Sequence, residues 1–163
     1  MDRFGVARLL DAYRKRSWTI AVAESCTGGE LCTQLSALPG SSDVFRGGVI
    51  PYADSAKTGL LGVPLELIVS HGAVSAEVAL AMALGVRERL GADVGVALTG
   101  IAGPGGARPN KPVGLVFIAI SGPFSDDQVH RREWHGSRDE NRAHSVWCAL
   151  ELLASAAKQD DTY

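Results

Sequence analysis

The spacing of apolar positions changes along the chain, and each change marks an element. Over residues 2–16, Val6, Leu9, Leu10 and Tyr13 recur at the interval of one helical face, and Arg14, Lys15 and Arg16 put cations where a helix C-terminus favours them. Trp18-Thr19-Ile20-Ala21-Val22-Ala23 then predicts a buried strand, because its apolar run is short, continuous and rich in β-branched residues. Helical spacing returns with Leu31, Leu35 and Leu38 and is stopped by Pro39-Gly40-Ser41-Ser42. Residues 45–52 predict a second strand. Pro51 has no N–H to give to a ladder, so this strand lies at an edge or ends at Ile50.

Further along, Asp54 is placed to cap a short helix carrying Ala56, Lys57, Leu60 and Leu61, with Gly62 and Pro64 as its stop. Ser75 caps a longer one whose inner face is Val78, Ala81, Met82, Gly85, Val86 and Leu90, ended by Gly91. Residues 94–99 predict a buried strand that runs into a glycine-rich turn over 100–106. Strands over 113–121 and 128–134 follow, the second polar and nearer an edge. A final helix over 138–157 and a solvated tail over 158–163 complete the chain. Strands alternate with helices until two strands run together near the end. The prediction is therefore one α/β domain over 1–157, layered α/β/α, with a mainly parallel sheet and an antiparallel pair near the C-terminal end. In such a sheet ligands bind beyond the carboxyl ends of the strands, where the turns after residues 23 and 99 fall.

Composition narrows the function classes. The 163 residues are 46% apolar and 21% charged, as expected of one globular core. The formal charge of −2 gives no footprint for nucleic acid or an anionic membrane. No stretch is apolar for long enough to span a bilayer, and residues 1–5 lack a signal-peptide core, so a soluble cytoplasmic protein is expected. Cys26, Cys32 and Cys148 are odd in number and form no C-x-x-C pair, so they are read as free thiols. No metal-ligand spacing occurs, and neither a metal nor a cofactor is expected.

Candidate chemistry starts at Ala23-Glu24-Ser25-Cys26-Thr27-Gly28-Gly29, a strand-to-helix turn. Ser25 there is either a helix cap or a nucleophile, and Cys26 is either core or a rival nucleophile. No G-x-S-x-G surrounds Ser25, and no histidine has an acidic partner at a motif spacing. A serine can also be activated by a lysine kept neutral by desolvation. Lys57, otherwise a solvated helix residue, is the lysine nearest the apolar part of the chain. The turn over 100–106 matches neither G-x-x-x-x-G-K-[ST] nor G-x-G-x-x-G. It is a phosphate cradle or a close-packing connection.

Three blocks bear on that choice. They are Ala23 to Gly29; Gly47-Gly48-Val49-Ile50-Pro51-Tyr52-Ala53-Asp54-Ser55-Ala56-Lys57; and Thr99-Gly100-Ile101-Ala102-Gly103-Pro104 with Lys111-Pro112-Val113-Gly114. In this order and spacing they closely resemble the CinA C-terminal domain family, the nicotinamide-nucleotide amidohydrolases also called NMN deamidases or PncC proteins. The resemblance implies hydrolysis of nicotinamide mononucleotide to nicotinic acid mononucleotide and ammonia, without metal, by a homo-oligomer. It implies Ser25 as nucleophile, Lys57 as general base and Tyr52 as an assisting hydroxyl. Cys26, Thr27, Gly28 and Gly29, with Gly48, are then the expected oxyanion and substrate-binding set, and Thr99, Gly100, Gly103 and Arg138 the expected phosphate site. Two departures from the family pattern are visible. Gly136-Ser137-Arg138 stands where Gly-Asp-Arg is common, and Pro51 where a small polar residue is usual. The same domain also occurs fused in competence/damage-inducible proteins, so a catalytically silent nucleotide-binding or regulatory module is the alternative, with an amidase for another carboxamide behind it.

Overall fold

The structure is a computed structural model that describes residues 3–158; the tail expected over 158–163 lies, apart from Lys158, outside the described residues. Its elements are α1 (Arg3–Lys15), β1 (Ile20–Glu24), α2 (Glu30–Ser36), a 3-10 turn (Ser41–Asp43), β2 (Phe45–Val49), α3 (Asp54–Leu61), α4 (Leu65–His71), α5 (Ala76–Arg89), β3 (Val94–Gly100), β4 (Leu115–Ser121), β5 (Gln128–Glu133) and α6 (Arg138–Ala156). The five strands form one sheet in the order β2-β1-β3-β4-β5. β2 and β3 both run parallel to β1, β4 is antiparallel to β3, and β5 is antiparallel to β4. Four strands therefore share a direction and only β4 is reversed, which gives the expected layered fold with a mixed sheet. β2 is at one edge and ends at Val49, short of Pro51, so both alternatives raised by that proline hold, and β5 is at the other edge, where its half-buried and exposed positions alternate.

The two sheet faces differ in side-chain size, and that difference sets the layers. Ile20 and Val22 of β1, Val94, Val96 and Leu98 of β3 and Val116, Ile118 and Ile120 of β4 point into one core, shared with α1, α2 and α6. Each such side chain, fully buried, contributes about 1.5–3 kcal/mol relative to exposure. Tyr13 of α1 is fully enclosed in this layer and donates its hydroxyl to the Leu153 carbonyl of α6 at 3.1 Å. The alternate positions Ala21, Ala23, Ala97 and Ala119 face the second core, with α3, α4 and α5. Small residues let α5 lie close on this face. A Cβ on Gly95 of β3 would stand 2.1 Å from the Ala83 carbonyl oxygen, and one on Gly85 would stand 2.1 Å from that of Leu61 in α3.

One local expectation is corrected, and one element is new. Asp54 is the first residue of α3 rather than its cap; Ala53 holds the cap position and makes no side-chain bond. The helix α4 is unpredicted by the sequence pattern, because seven residues between Pro64 and Gly72 are too few to establish a period. No described helix is long and apolar enough to cross a membrane.

Candidate active site

The serine turn leaves the carboxyl end of β1, and what shapes it is Glu24. This side chain is completely buried, and its carboxylate accepts the amides of Gly29 and Leu31, each at 3.1 Å, and of Cys32 at 2.8 Å. It thereby satisfies the orphan donors at the start of α2, work that a capping serine would otherwise do. Gly29 occupies the N-cap position with φ 101° and Gly28 precedes it at φ 63°, backbone conformations that make glycine the natural choice at both. Ser25 is thus released from capping. Its amide bonds the Leu98 carbonyl of β3 at 2.9 Å, fixing the turn to the neighbouring strand, and its hydroxyl bonds no described residue.

Lys57 comes from the opposite side of the sheet. Its side chain is only 2% exposed, and its Nζ donates to the Tyr52 carbonyl at 3.2 Å and to Asp54 Oδ1 at 3.3 Å. The contact to Asp54 is a salt bridge between one buried and one exposed partner. Pro51 turns the chain sharply after β2, with the Tyr52 amide donating to the Ile50 carbonyl two residues back at 2.9 Å. Tyr52 is left exposed, and its hydroxyl receives a hydrogen bond from Arg138 Nη2 at 3.2 Å. Arg138 also donates to the Gly103 carbonyl at 2.7 Å. It is the first residue of α6, and Ser137 caps that helix through a complete capping box with Glu140. The serine that replaces the usual aspartate therefore keeps the function of a cap and holds Arg138 in place.

Ser25, Cys26, Tyr52, Lys57, Thr99, Gly100, Gly103 and Arg138 all line one cleft of about 270 Å³ at the carboxyl ends of β1 and β3. Ser25 and Lys57 face this cleft without a direct hydrogen bond between them, a looseness common before substrate binds. Thr27, Gly28, Gly29 and Gly48 do not line it. Gly48 serves packing: a Cβ there would stand 2.3 Å from Cys32 Sγ. The amides of Gly28 and Gly29 are engaged by the Ser25 carbonyl and by Glu24, and Thr27 lies wholly inside the protein, so the donor of this turn that remains for an oxyanion is the amide of Cys26, which lines the cleft and bonds no other described residue. Burial pushes the Cys26 thiol up to about 12, which keeps it protonated and a poor nucleophile at neutral pH.

The second glycine-rich turn has the character of a close-packing connection at the edge of the cleft. Thr99 is buried and donates its hydroxyl to the Ala73 carbonyl at 2.8 Å. A Cβ on Gly100 would meet Val116 at 2.6 Å, and one on Gly103 would meet Val113 at 2.6 Å. Close packing therefore accounts for the two glycines, while their backbone still borders the cleft. Sequence reasoning passed over Glu24, Asp54 as the carboxylate beside Lys57, and Arg142, whose Nη2 reaches the Thr27 carbonyl at 3.1 Å and Glu30 Oε1 at 2.6 Å. An acidic residue just before a helix-initiating glycine pair is a signal for the first of these. Among the described residues no three His, Cys, Asp or Glu side chains gather as a metal site.

Fold and cleft together define a small α/β domain in which a turn-borne serine and a buried lysine share one solvent-accessible site. The profile of the CinA C-terminal domain matches residues 5–157, and the chain belongs to that family. A CinA-like protein of Synechococcus sp. (strain RCC307) is 53% identical over 146 residues, which are 89% of this chain and 35% of that protein. A putative competence-damage inducible protein of Moorella thermoacetica is 50% identical over 139 residues, 85% of this chain and 33% of its own length. The chain thus spans about a third of the length of these curated relatives. Among solved structures, the competence/damage inducible protein CihA from Agrobacterium tumefaciens superposes with a TM-score of 0.91 at 38% identity, covering 96% of this chain and 95% of that one. The competence damage-inducible protein A from Klebsiella pneumoniae superposes with a TM-score of 0.93 at 30% identity, covering 98% of both.

Proposed function

We propose that this domain is a nicotinamide-nucleotide amidohydrolase that converts nicotinamide mononucleotide to nicotinic acid mononucleotide and ammonia. The observation that carries the reading is the burial of Lys57, 2% exposed, in the cleft that Ser25 lines. A lysine buried beside an uncommitted serine suits proton transfer rather than surface charge.

The reaction runs in two halves. Ser25 Oγ attacks the carboxamide carbon as Lys57, the general base, takes its proton, and the amide of Cys26 receives the oxyanion. Lys57 then protonates the departing nitrogen, which leaves as ammonia, and a nicotinoyl ester remains on Ser25. Water attacks that ester, gives one proton to Lys57 and, through it, restores the serine hydroxyl as the acid departs. Tyr52, held by Arg138, assists at the rim of the pair. For the anionic part of the substrate, cations stand at both ends of the site, Arg138 at one and Arg108 with Lys111 at the other.

Incubating the purified domain with nicotinamide mononucleotide and following ammonia and nicotinic acid mononucleotide tests the reading. Equimolar release of both products is expected, insensitive to chelators. Saturable binding of the mononucleotide without product would instead favour the silent nucleotide-binding module.

A further inference from the structure

Beyond Asp54 the catalytic cleft opens into a second compartment of similar volume, about 270 Å³, whose wall includes Arg108 and Lys111. The two spaces share Asp54, Ala73, Val74, Ile101 and Gly106, so they form one continuous groove. We propose that this compartment binds the 5′-phosphate of the mononucleotide, making Arg108 and Lys111 the residues that select a nucleotide over its nucleoside; this rests on the amidohydrolase reading above.

The cations are held as a pair by backbone structure. Arg108 and Lys111 exchange both amide-to-carbonyl hydrogen bonds, each at 2.9 Å, across Pro109 and Asn110. Asn110 has φ 62°, and a proline followed by a residue in that region is the pattern of a type II turn. Residues opposed in this way put their side chains on the same face of the hairpin, Cα atoms about 5.5 Å apart. Two like charges so placed repel one another, and a bound anion turns that cost into attraction. Lys111 is further oriented by donating one of its three ammonium protons to the His71 carbonyl, which leaves two for a ligand. Among the described residues Asp54 is the one carboxylate lining the compartment, and its Oδ1 accepts a hydrogen bond from Lys57 Nζ at 3.3 Å.

The competing anion position is less free. Arg138 is engaged by the Gly103 carbonyl and the Tyr52 hydroxyl, and the Thr99 hydroxyl proton is held by Ala73. Arg138 is accordingly a positioning residue for Tyr52. With the carboxamide at Ser25, the apolar side chains of Val74 and Ile101 border the path of the ribose, and the phosphate arrives between the two cations.

The test compares nicotinamide mononucleotide with nicotinamide riboside as substrates for the wild type, for Arg108→Gln combined with Lys111→Met, for Arg108→Gln alone, and for Arg138→Gln. The ratio of kcat/KM for the nucleotide to that for the nucleoside should fall about 10- to 100-fold in the double variant, as loss of charge-assisted bonds implies. It should fall by a smaller factor in the exposed single variant Arg108→Gln. Arg138→Gln should lower both substrates together. An unchanged ratio in the double variant, or a fall confined to Arg138→Gln, overturns the assignment. If wild type turns over neither compound, calorimetric titration with the mononucleotide separates the two claims. Affinity at least tenfold weaker in the double variant keeps the phosphate site while the hydrolytic reading fails, and equal or absent affinity overturns the site.

Discussion

Replacing Glu24 with glutamine changes one atom in a fully enclosed position and so isolates what the carboxylate does. One oxygen takes the amides of Gly29 and Leu31 and the other that of Cys32 at 2.8 Å. A carboxamide can reproduce the first oxygen, but its NH₂ then faces the Cys32 amide, donor against donor. One charge-assisted hydrogen bond is lost, about 1.5–3 kcal/mol, together with the favourable placement of a negative charge at the start of α2, about 0.3–1 kcal/mol. The expected destabilisation is about 2–4 kcal/mol, read as a lower urea midpoint and a Tm about 5–15 °C below wild type. Activity should fall further than stability explains, because Ser25 adjoins the altered residue and a shift of about 1 Å in a reacting group costs on the order of 100-fold in rate. That loss should appear in kcat rather than KM. A Glu24→Gln protein that unfolds within about 0.5 kcal/mol of wild type with full kcat would refute the claim that this carboxylate shapes the serine turn.

Gly85→Ala should lose about 1–3 kcal/mol by urea unfolding although alanine is the better helix former, since its Cβ would press on the Leu61 carbonyl of α3; a gain in stability would disprove that close approach. Cys26, its thiol raised by burial to about 12, should resist iodoacetamide at pH 8 in the folded protein and react after unfolding, and Cys26→Ala should keep kcat within a few-fold; fast alkylation that abolishes activity would make it the nucleophile instead. Burial alone would raise the Asp93 carboxyl, but hydrogen bonds from the hydroxyl and amide of Thr19 outweigh it and hold the group below its ordinary value of 3.8. Because the folded-state value is the lower one, this stabilisation is complete above the ordinary value and is lost as pH falls through the folded one. Urea midpoints should therefore decline below about pH 4 in wild type and decline less steeply in Asp93→Asn, whereas identical pH profiles would contradict the tie.

The layered fold was legible in the sequence because its signals are long. The alternation of Ile20, Ala21, Val22 and Ala23, and of Val94 to Leu98, reports which strands are buried on both faces, and the stripes in α1, α5 and α6 are several turns long. The reversal of β4 was only partly legible, since a buried strand reads the same in either direction. At the site, the serine turn, Tyr52 and Lys57 carried chemistry in their residue types, but spacing alone left Ser25 a plausible cap. What decided against capping was the three-amide grip of Glu24, a contact between residues five to eight positions apart that no period encodes. Gly48, Gly100 and Gly103 were ambiguous for a related reason: a glycine that admits a ligand and one that admits a neighbouring strand are identical until the neighbour is placed.

The central claim is that Ser25 carries the acyl group. Rapid acid quenching of the enzyme during turnover of nicotinamide mononucleotide, followed by mass spectrometry of its peptides, measures this directly. A nicotinoyl ester on the peptide containing Ser25, absent in Ser25→Ala and strongly reduced in Lys57→Ala, is the predicted result. Turnover that persists in Ser25→Ala, or an adduct carried on Cys26, would contradict it.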